Sequence, residues 1–200
     1  ETCPDIRQAL ILPNSDSDPV SYERALYFAR KRIEKIATAE HIEDLYIPSM
    51  SQYSLVYKGL FVAPQLKGFY EDLTDPDFES ALALFHQRYS TNTFPTWDRA
   101  QPMRYLGHNG ELNTIQGNRN WLRAREPELS SPLLGENIEI LKPLTFDETS
   151  DSGSLDHALE LLVMSGRDVL HSMMMLIPEP WENMPNMDPA LKAFYEYHAS

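Results

Sequence analysis

ALALFHQRYSTNTFPTWDRAQPMRYLGHNGE, residues 81–111, holds two apolar runs, each ending in a cluster of polar side chains. The first run, residues 81–89, alternates loosely and is apolar enough for a buried strand. It ends in His86-Gln87-Arg88-Tyr89-Ser90-Thr91. Residues 91–102 carry Asn92, Pro95, Trp97 and Pro102, which predicts an irregular loop. Residues 103–107 predict a second strand, which runs into Gly107-His108-Asn109-Gly110-Glu111. A helix is expected over residues 111–125, although Gly117 in its middle weakens it.

These polar ends share a chemistry. The Arg88 guanidinium can grip a carboxylate through two parallel hydrogen bonds, and the Thr91 hydroxyl can add a third. The Asn109 amide and the Gly110 N–H are the donor types that an oxyanion hole needs. Farther along, Asp151-Ser152-Gly153 places a carboxylate in a turn before a helix, where it can hold an ammonium group. This set meets the needs of a free α-amino acid whose side-chain amide is being hydrolysed. Each residue alone has a plainer reading: Arg88 as a strand-end ion pair, Asn109-Gly110 as a tight turn, Asp151 as a helix cap.

Working outward, residues 6–12 form a short apolar run that ends at Pro13, consistent with a strand. Residues 20–39 predict a helix, with Tyr22, Leu26, Ala29, Ile33 and Ile36 on one face. Residues 45–50 and 54–62 suggest paired strands, and residues 63–73 a short irregular helical segment. Residues 129–147 suggest a loop with a short apolar stretch at 138–141. Residues 152–166 predict a helix capped by Ser154, with Leu155, Leu159, Leu162 and Val163 on its buried face and Gly166 at its end. Residues 173–177 fit strand or helix equally, and residues 188–198 predict a terminal helix with Pro189 in its first turn. Strands mixed with helices, without regular βαβ alternation, point to an α+β layered fold in a single domain.

Composition narrows the partners. Hydrophobic residues are 42% and charged residues 24% of the 200, ordinary for a globular chain. Thirty acidic against 17 basic residues give a formal net charge of -13, which disfavours nucleic acid and anionic lipid as partners. No apolar run approaches the roughly 20 residues needed to cross a bilayer, and the first residues lack the pattern of a signal peptide. The single cysteine, Cys3, fits a reducing compartment, which favours the cytoplasm, or a plastid for a plant or alga. His41, His86, His108, His157, His171 and His198 show no metal-ligand spacing. Residues 147–153 are out of register with a calcium loop, and no glycine loop for phosphate occurs. No metal or cofactor site is therefore expected in this chain.

Arg88-Tyr89-Ser90-Thr91 followed by His108-Asn109-Gly110-Glu111 resembles the signature of the class II glutamine amidotransferases. The longer string from Arg88 to Arg104 is similar to the glutamate synthase members of that family. The similarity continues through Gly107 to Asn113, Asp151-Ser152-Gly153-Ser154, Met174 to Trp181 and Ala193 to His198. It is nearly continuous from Val56 onward and looser in the first fifty residues.

The resemblance implies an Ntn-hydrolase fold, a four-layer αββα sandwich of two sheets between helical layers. It implies that Arg88 and Thr91 bind the glutamine α-carboxylate, and that Asp151, with Gly153 nearby, receives the α-amino group. Asn109 and Gly110 would form the oxyanion hole, with His86 and His108 as structural supports. In this family the nucleophile is an N-terminal cysteine whose own α-amine acts as the base. Cys3 does not match, because its nitrogen is in a peptide bond with Thr2 and Pro4 follows it. The chain is thus expected to begin inside the domain, lacking the first strands and the nucleophile, and to be inactive alone. Unpaired sheet edges would then favour self-association. For the longer parent, the resemblance implies FMN, an iron–sulfur cluster, and ferredoxin or a subunit that oxidises reduced nicotinamide as electron donor. A non-catalytic glutamine-binding or interaction module, or another class II amidotransferase, is the alternative.

Overall fold

An aspartate fixes where three of the helices start. Asp18 accepts from Ser21 N–H at 2.9 Å, and Pro19 opens helix α1 (Pro19–Ala39). Asp168 accepts from Leu170 and His171 ahead of α6 (Val169–Leu176), and Asp188 from Ala190 and Leu191 ahead of α7 (Pro189–His198). The computed structural model describes residues 3–14, 16–42, 44–88, 94–145 and 149–199. Within them lie also α2 (Leu66–Phe69), α3 (Ile115–Arg125), α4 (Ile138–Leu141) and α5 (Asp151–Met164). Short 3-10 turns flank α2 on both sides, which matches the irregular helical segment expected over 63–73.

Helix α5 is the centre of the packing. Leu161 and Met164 join Tyr27 of α1, Leu134, Ile138 and Leu141 of α4, and Leu144 in one core. Leu155 and Leu159 pack with Leu106 in a second core, covered by Met173 and Leu176 of α6. Tyr105 borders both. The helix is therefore buried on more than the one face expected from its apolar spacing. It ends in a Schellman turn: Arg167 N–H reaches Leu162 O at 3.1 Å and Gly166 N–H reaches Val163 O at 2.9 Å. Gly166 has φ +95°, a conformation that a side chain would strain.

Between α1 and α5 runs a buried ionic network. Arg30, 1% exposed, pairs with Glu160 and, at 2.8 Å, with Glu34. Burial works against the Arg30 charge, but the two carboxylates outweigh it and hold its pKa above the ordinary value. Arg104 reaches Glu34 at 3.3 Å, and Arg24 Nε closes the end of α5 by donating to Met164 O at 2.9 Å. Tyr46 lies between two cations, 4.9 Å from Lys58 Nζ and 5.3 Å from Arg104. Lys58 is buried and donates to Asp98 O and Ala100 O; burial lowers its pKa to about 8.

Several expectations need correction. Among the described residues no strand forms at 6–12, 45–50, 54–62, 81–88 or 103–107. A strand exists only through a ladder to a neighbour, and these backbones bond elsewhere. Asp156 takes the N–H groups of residues 104–106. Ser49 Oγ takes Val56 N–H, and Arg104 takes Ile47 O. Residues 6–12 and 81–88 form neither helix nor strand, and their apolar side chains face outward: Leu10 is 92% exposed, Leu82 84% and Phe85 80%. The cap of α5 is Ser150, whose Oγ accepts from Gly153 N–H at 3.0 Å, so the helix starts at Asp151. Ser154 Oγ donates to Ser150 O at 3.0 Å and accepts from Arg119 of α3 instead. Helix α3 starts at Ile115 rather than residue 111, the apolar stretch at 138–141 is a helical turn, and residues 173–176 are helix. No described helix is long and apolar enough to cross a membrane.

Asp156, 1% exposed, accepts from Tyr105 N–H at 2.8 Å, Leu106 at 3.2 Å and Arg104 at 3.3 Å. Asp156→Ala strands three donors and is expected to cost about 3 kcal/mol, read as a lower urea midpoint at unchanged m-value. Asp156→Asn, which keeps an acceptor oxygen, should lose less.

Burial, together with Lys31, Arg104 and Arg30, holds the His157 pKa well below 6.5. The unfolded ring takes up a proton below about 6.5 while the folded ring does not. This contribution to stability is present above that pH and is lost as pH falls toward the folded value. Urea midpoints at pH 7.5 and 5.5 should show a loss of up to about 1.4 kcal/mol per pH unit. His157→Gln should flatten that slope.

Candidate functional site

The first turn of α5 gathers polar groups of residues 101–112. Asp151, its first residue, accepts from Leu112 N–H at 3.1 Å through Oδ2 and from Ser152 N–H at 2.6 Å through Oδ1. A helix N-terminus suits a carboxylate, because the peptide dipoles point their positive end there. Ser152 is buried, and its Oγ lies 2.8 Å from His108 Nε2. Gln101 joins the two: its Oε1 accepts from His108 N–H at 2.8 Å, and its Nε2 reaches Ser152 Oγ at 3.4 Å. Residues 101–112 are thus tied to α5 at both ends, through His108 and through Leu112.

Asn109 and Gly110 project from this braced segment and are exposed. Gly110 has φ +125°, and a Cβ built there would meet nothing within 4 Å. Its requirement for glycine is conformational, with open space above it. Asn109 Oδ1 sits 2.9 Å from His86 Nε2. Backbone N–H of Arg88 donates to His86 Nδ1 at 3.2 Å. Segments 81–88 and 107–110 therefore meet through His86 and Asn109.

The residues singled out from sequence fall as follows. Asn109 and Gly110 lie on the loop that α5 braces, and Asp151 and Gly153 lie in the first turn of α5 itself. Arg88 lies on exposed chain two residues past His86. Thr91 is outside the described residues. Gly153 is buried; a Cβ there would come within 2.5 Å of Thr149 Cγ2 and 3.3 Å of Ser150 Oγ. Its lack of a side chain keeps the cap of α5 intact.

A family model described as "Glutamine amidotransferases class-II" matches residues 1–200. The chain belongs to the class II glutamine amidotransferases. This amidotransferase chain is 49% identical over its whole length to "Glutamate synthase [NADPH] large chain" of Bacillus subtilis (strain 168), covering 13% of that protein. It is 45% identical over 98% of its length to the protein of the same name from Azospirillum brasilense, again covering 13%. With "Ferredoxin-dependent glutamate synthase, chloroplastic" of Spinacia oleracea it shares 42% identity over 99% of its length, covering 12% of that protein. The chain thus spans about an eighth of the curated relatives it matches. Class II glutamine amidotransferases have the Ntn-hydrolase fold.

Four residues that hold this candidate site together escaped the sequence reading: Gln101, Arg119, Ser152 as a partner of His108, and Asp156. Arg119 is buried in α3 and donates through Nε and Nη2 to Ser154 Oγ at 3.1 and 2.8 Å, and through Nη2 to Thr149 O. The available signal was the spacing of Ser152 and Asp156, which stand four apart and so share one face of the helix.

Gly153→Ala is expected to lower stability by about 1–2 kcal/mol through crowding of Thr149 and the Ser150 cap. Gly117→Ala, in mid-α3 where a Cβ meets nothing within 4 Å, should raise it by about 1 kcal/mol. Thermal denaturation of the two variants reads both signs.

Proposed function

We propose that this chain is the glutamine-binding part of a glutaminase within a glutamate synthase. The observation behind this is the brace just described: one helix turn carries Asp151 and, through Ser152 and His108, holds the loop that bears Asn109 and Gly110. In a class II amidotransferase nearly half identical to a glutamate synthase large chain, that juxtaposition suits glutamine. Arg88 and Thr91 take its α-carboxylate, and Asp151 takes its α-ammonium with Gly153 leaving room beside it. The side-chain carbonyl then points toward Asn109 Nδ2 and Gly110 N–H.

A thiolate adds to that carbonyl carbon, and the carbonyl π pair moves onto oxygen, where the two donors stabilise it. The C–N bond then breaks, nitrogen takes a proton and leaves as ammonia, and the enzyme holds a thioester. Water adds in turn, releasing glutamate and the thiol. The sum is glutamine plus water to glutamate plus ammonia. We place the thiol outside this chain, since Cys3 is its single cysteine and its nitrogen is acylated by Thr2.

The rest of the synthase would use the ammonia to aminate 2-oxoglutarate reductively. An iron–sulfur cluster takes about four cysteine thiolates, and a flavin phosphate wants a glycine-rich cradle. One cysteine and eight glycines without such a run do not fit them, so FMN and the cluster belong to the remainder of the synthase. Its reductant is ferredoxin or a subunit that oxidises reduced nicotinamide, in the cytoplasm or a plastid. The full αββα layering also belongs to that larger whole. The outward apolar side chains of residues 6–12 and 81–88 suit strands that pair with further chain.

Incubated alone with glutamine, these 200 residues should release no ammonia; ammonia release above the blank would overturn the placement of the thiol. In the full-length synthase, Asn109→Ala should lower glutaminase kcat by about a hundredfold with little change in KM. An unchanged kcat would remove Asn109 from the oxyanion hole.

A further inference from the structure

We propose that His86 is a positioning residue that sets the oxyanion-hole carboxamide of Asn109 the right way round. This role rests on Asn109 serving the oxyanion. An asparagine side chain has two nearly isosteric ends, one that donates and one that only accepts. Only the Nδ2 end can stabilise a negative oxygen, so a carboxamide free to turn over would present the wrong end part of the time. Two hydrogen bonds on opposite sides of the His86 ring remove that freedom.

Backbone N–H of Arg88 donates to His86 Nδ1 at 3.2 Å, so Nδ1 presents a lone pair. The ring proton then sits on Nε2. Nε2 lies 2.9 Å from Asn109 and, as a donor, must face an acceptor, which is Oδ1. The acceptor end of Asn109 is thereby occupied, and Nδ2 with its two protons turns away toward the substrate side. The tautomer is fixed by the main chain of the residue that also supplies the carboxylate-binding guanidinium. The local turn at residues 86–88 therefore couples Arg88 to the orientation of Asn109 through one imidazole.

Two substitutions separate this role from simple support. Asparagine at 86 can imitate the Nδ1 acceptor and keep the Arg88 turn, but it is too short to reach Asn109. Glutamine can bring an amide donor to the position of Nε2. In the full-length synthase, H86N should lower glutaminase kcat about tenfold, with KM for glutamine within about twofold. H86Q should recover most of that loss. In an Asn109→Ala background, H86N should change kcat by less than about twofold, because the group it orients is gone.

Wild-type kcat in H86N overturns the proposal. So does an undiminished tenfold loss in the Asn109→Ala background, since His86 would then act through something else. Should H86N fail to fold, a folded H86Q with no better than tenfold-reduced kcat overturns it as well. If Asn109→Ala alone leaves kcat intact, the oxyanion reading falls and takes this role with it. An impaired Asn109→Ala beside an unimpaired H86N rejects His86 only.

Discussion

A buried carboxylate that collects three successive backbone N–H groups is the constraint on which the site depends. Asp156 does this for residues 104–106, from the second turn of α5. Leaving such donors unpaired in the interior costs roughly 1–3 kcal/mol each, so the chain has one conformation there. Burial raises the Asp156 pKa, while the Tyr105 N–H pulls it back down. The bond set therefore secures position at some electrostatic cost, to which the nearby Glu160 adds and which the Arg104 charge and N–H lessen.

The rest of the site follows from α5 geometry. Residues 152 and 156 stand one turn apart on the same face. Once 156 holds 104–106, 152 meets His108 and 151 meets Leu112. Arg119 holds the start of the same helix from α3, by way of Ser154 and Thr149. Arg24 and Arg30 hold its far end and middle from α1. A helix fixed at three points can serve as a ruler for the loop laid along it.

What could be read from sequence was what is local. The start of α7 was visible because Asp-Pro couples an Asx cap to a residue already suited to a first turn, and α1 was visible within one residue of its start from its apolar spacing. The stop of α5 was visible because Gly166 alone tolerates φ +95°. Strands were misread because alternation describes side chains, whereas a strand is made by its neighbour. Residues 103–107 have the alternation, but their N–H groups go to a carboxylate fifty positions away. The Asn109-Gly110 pair stood out as a turn in any reading; that His86, expected as a structural support, bonds to Asn109 was not legible, because the contact spans 23 residues.

The ends of the site differ in how firmly they are held, and this bears on how it can work. Asp151 and the 101–112 segment are tied to a helix packed between two cores. Arg88 hangs on an arm, residues 81–88, whose Leu82, Leu84 and Phe85 side chains face outward. An arm of that kind adds little apolar contact of its own beyond Leu84 beside Gly107, and the His86 bond to Asn109 links it to the braced loop. A substrate that bridges Arg88 and Asp151 would bind both sides at once and draw the arm onto the loop. Binding energy from the α-carboxylate would then help align the amide donor, far from the carboxylate itself, which is how remote contacts raise kcat as well as affinity.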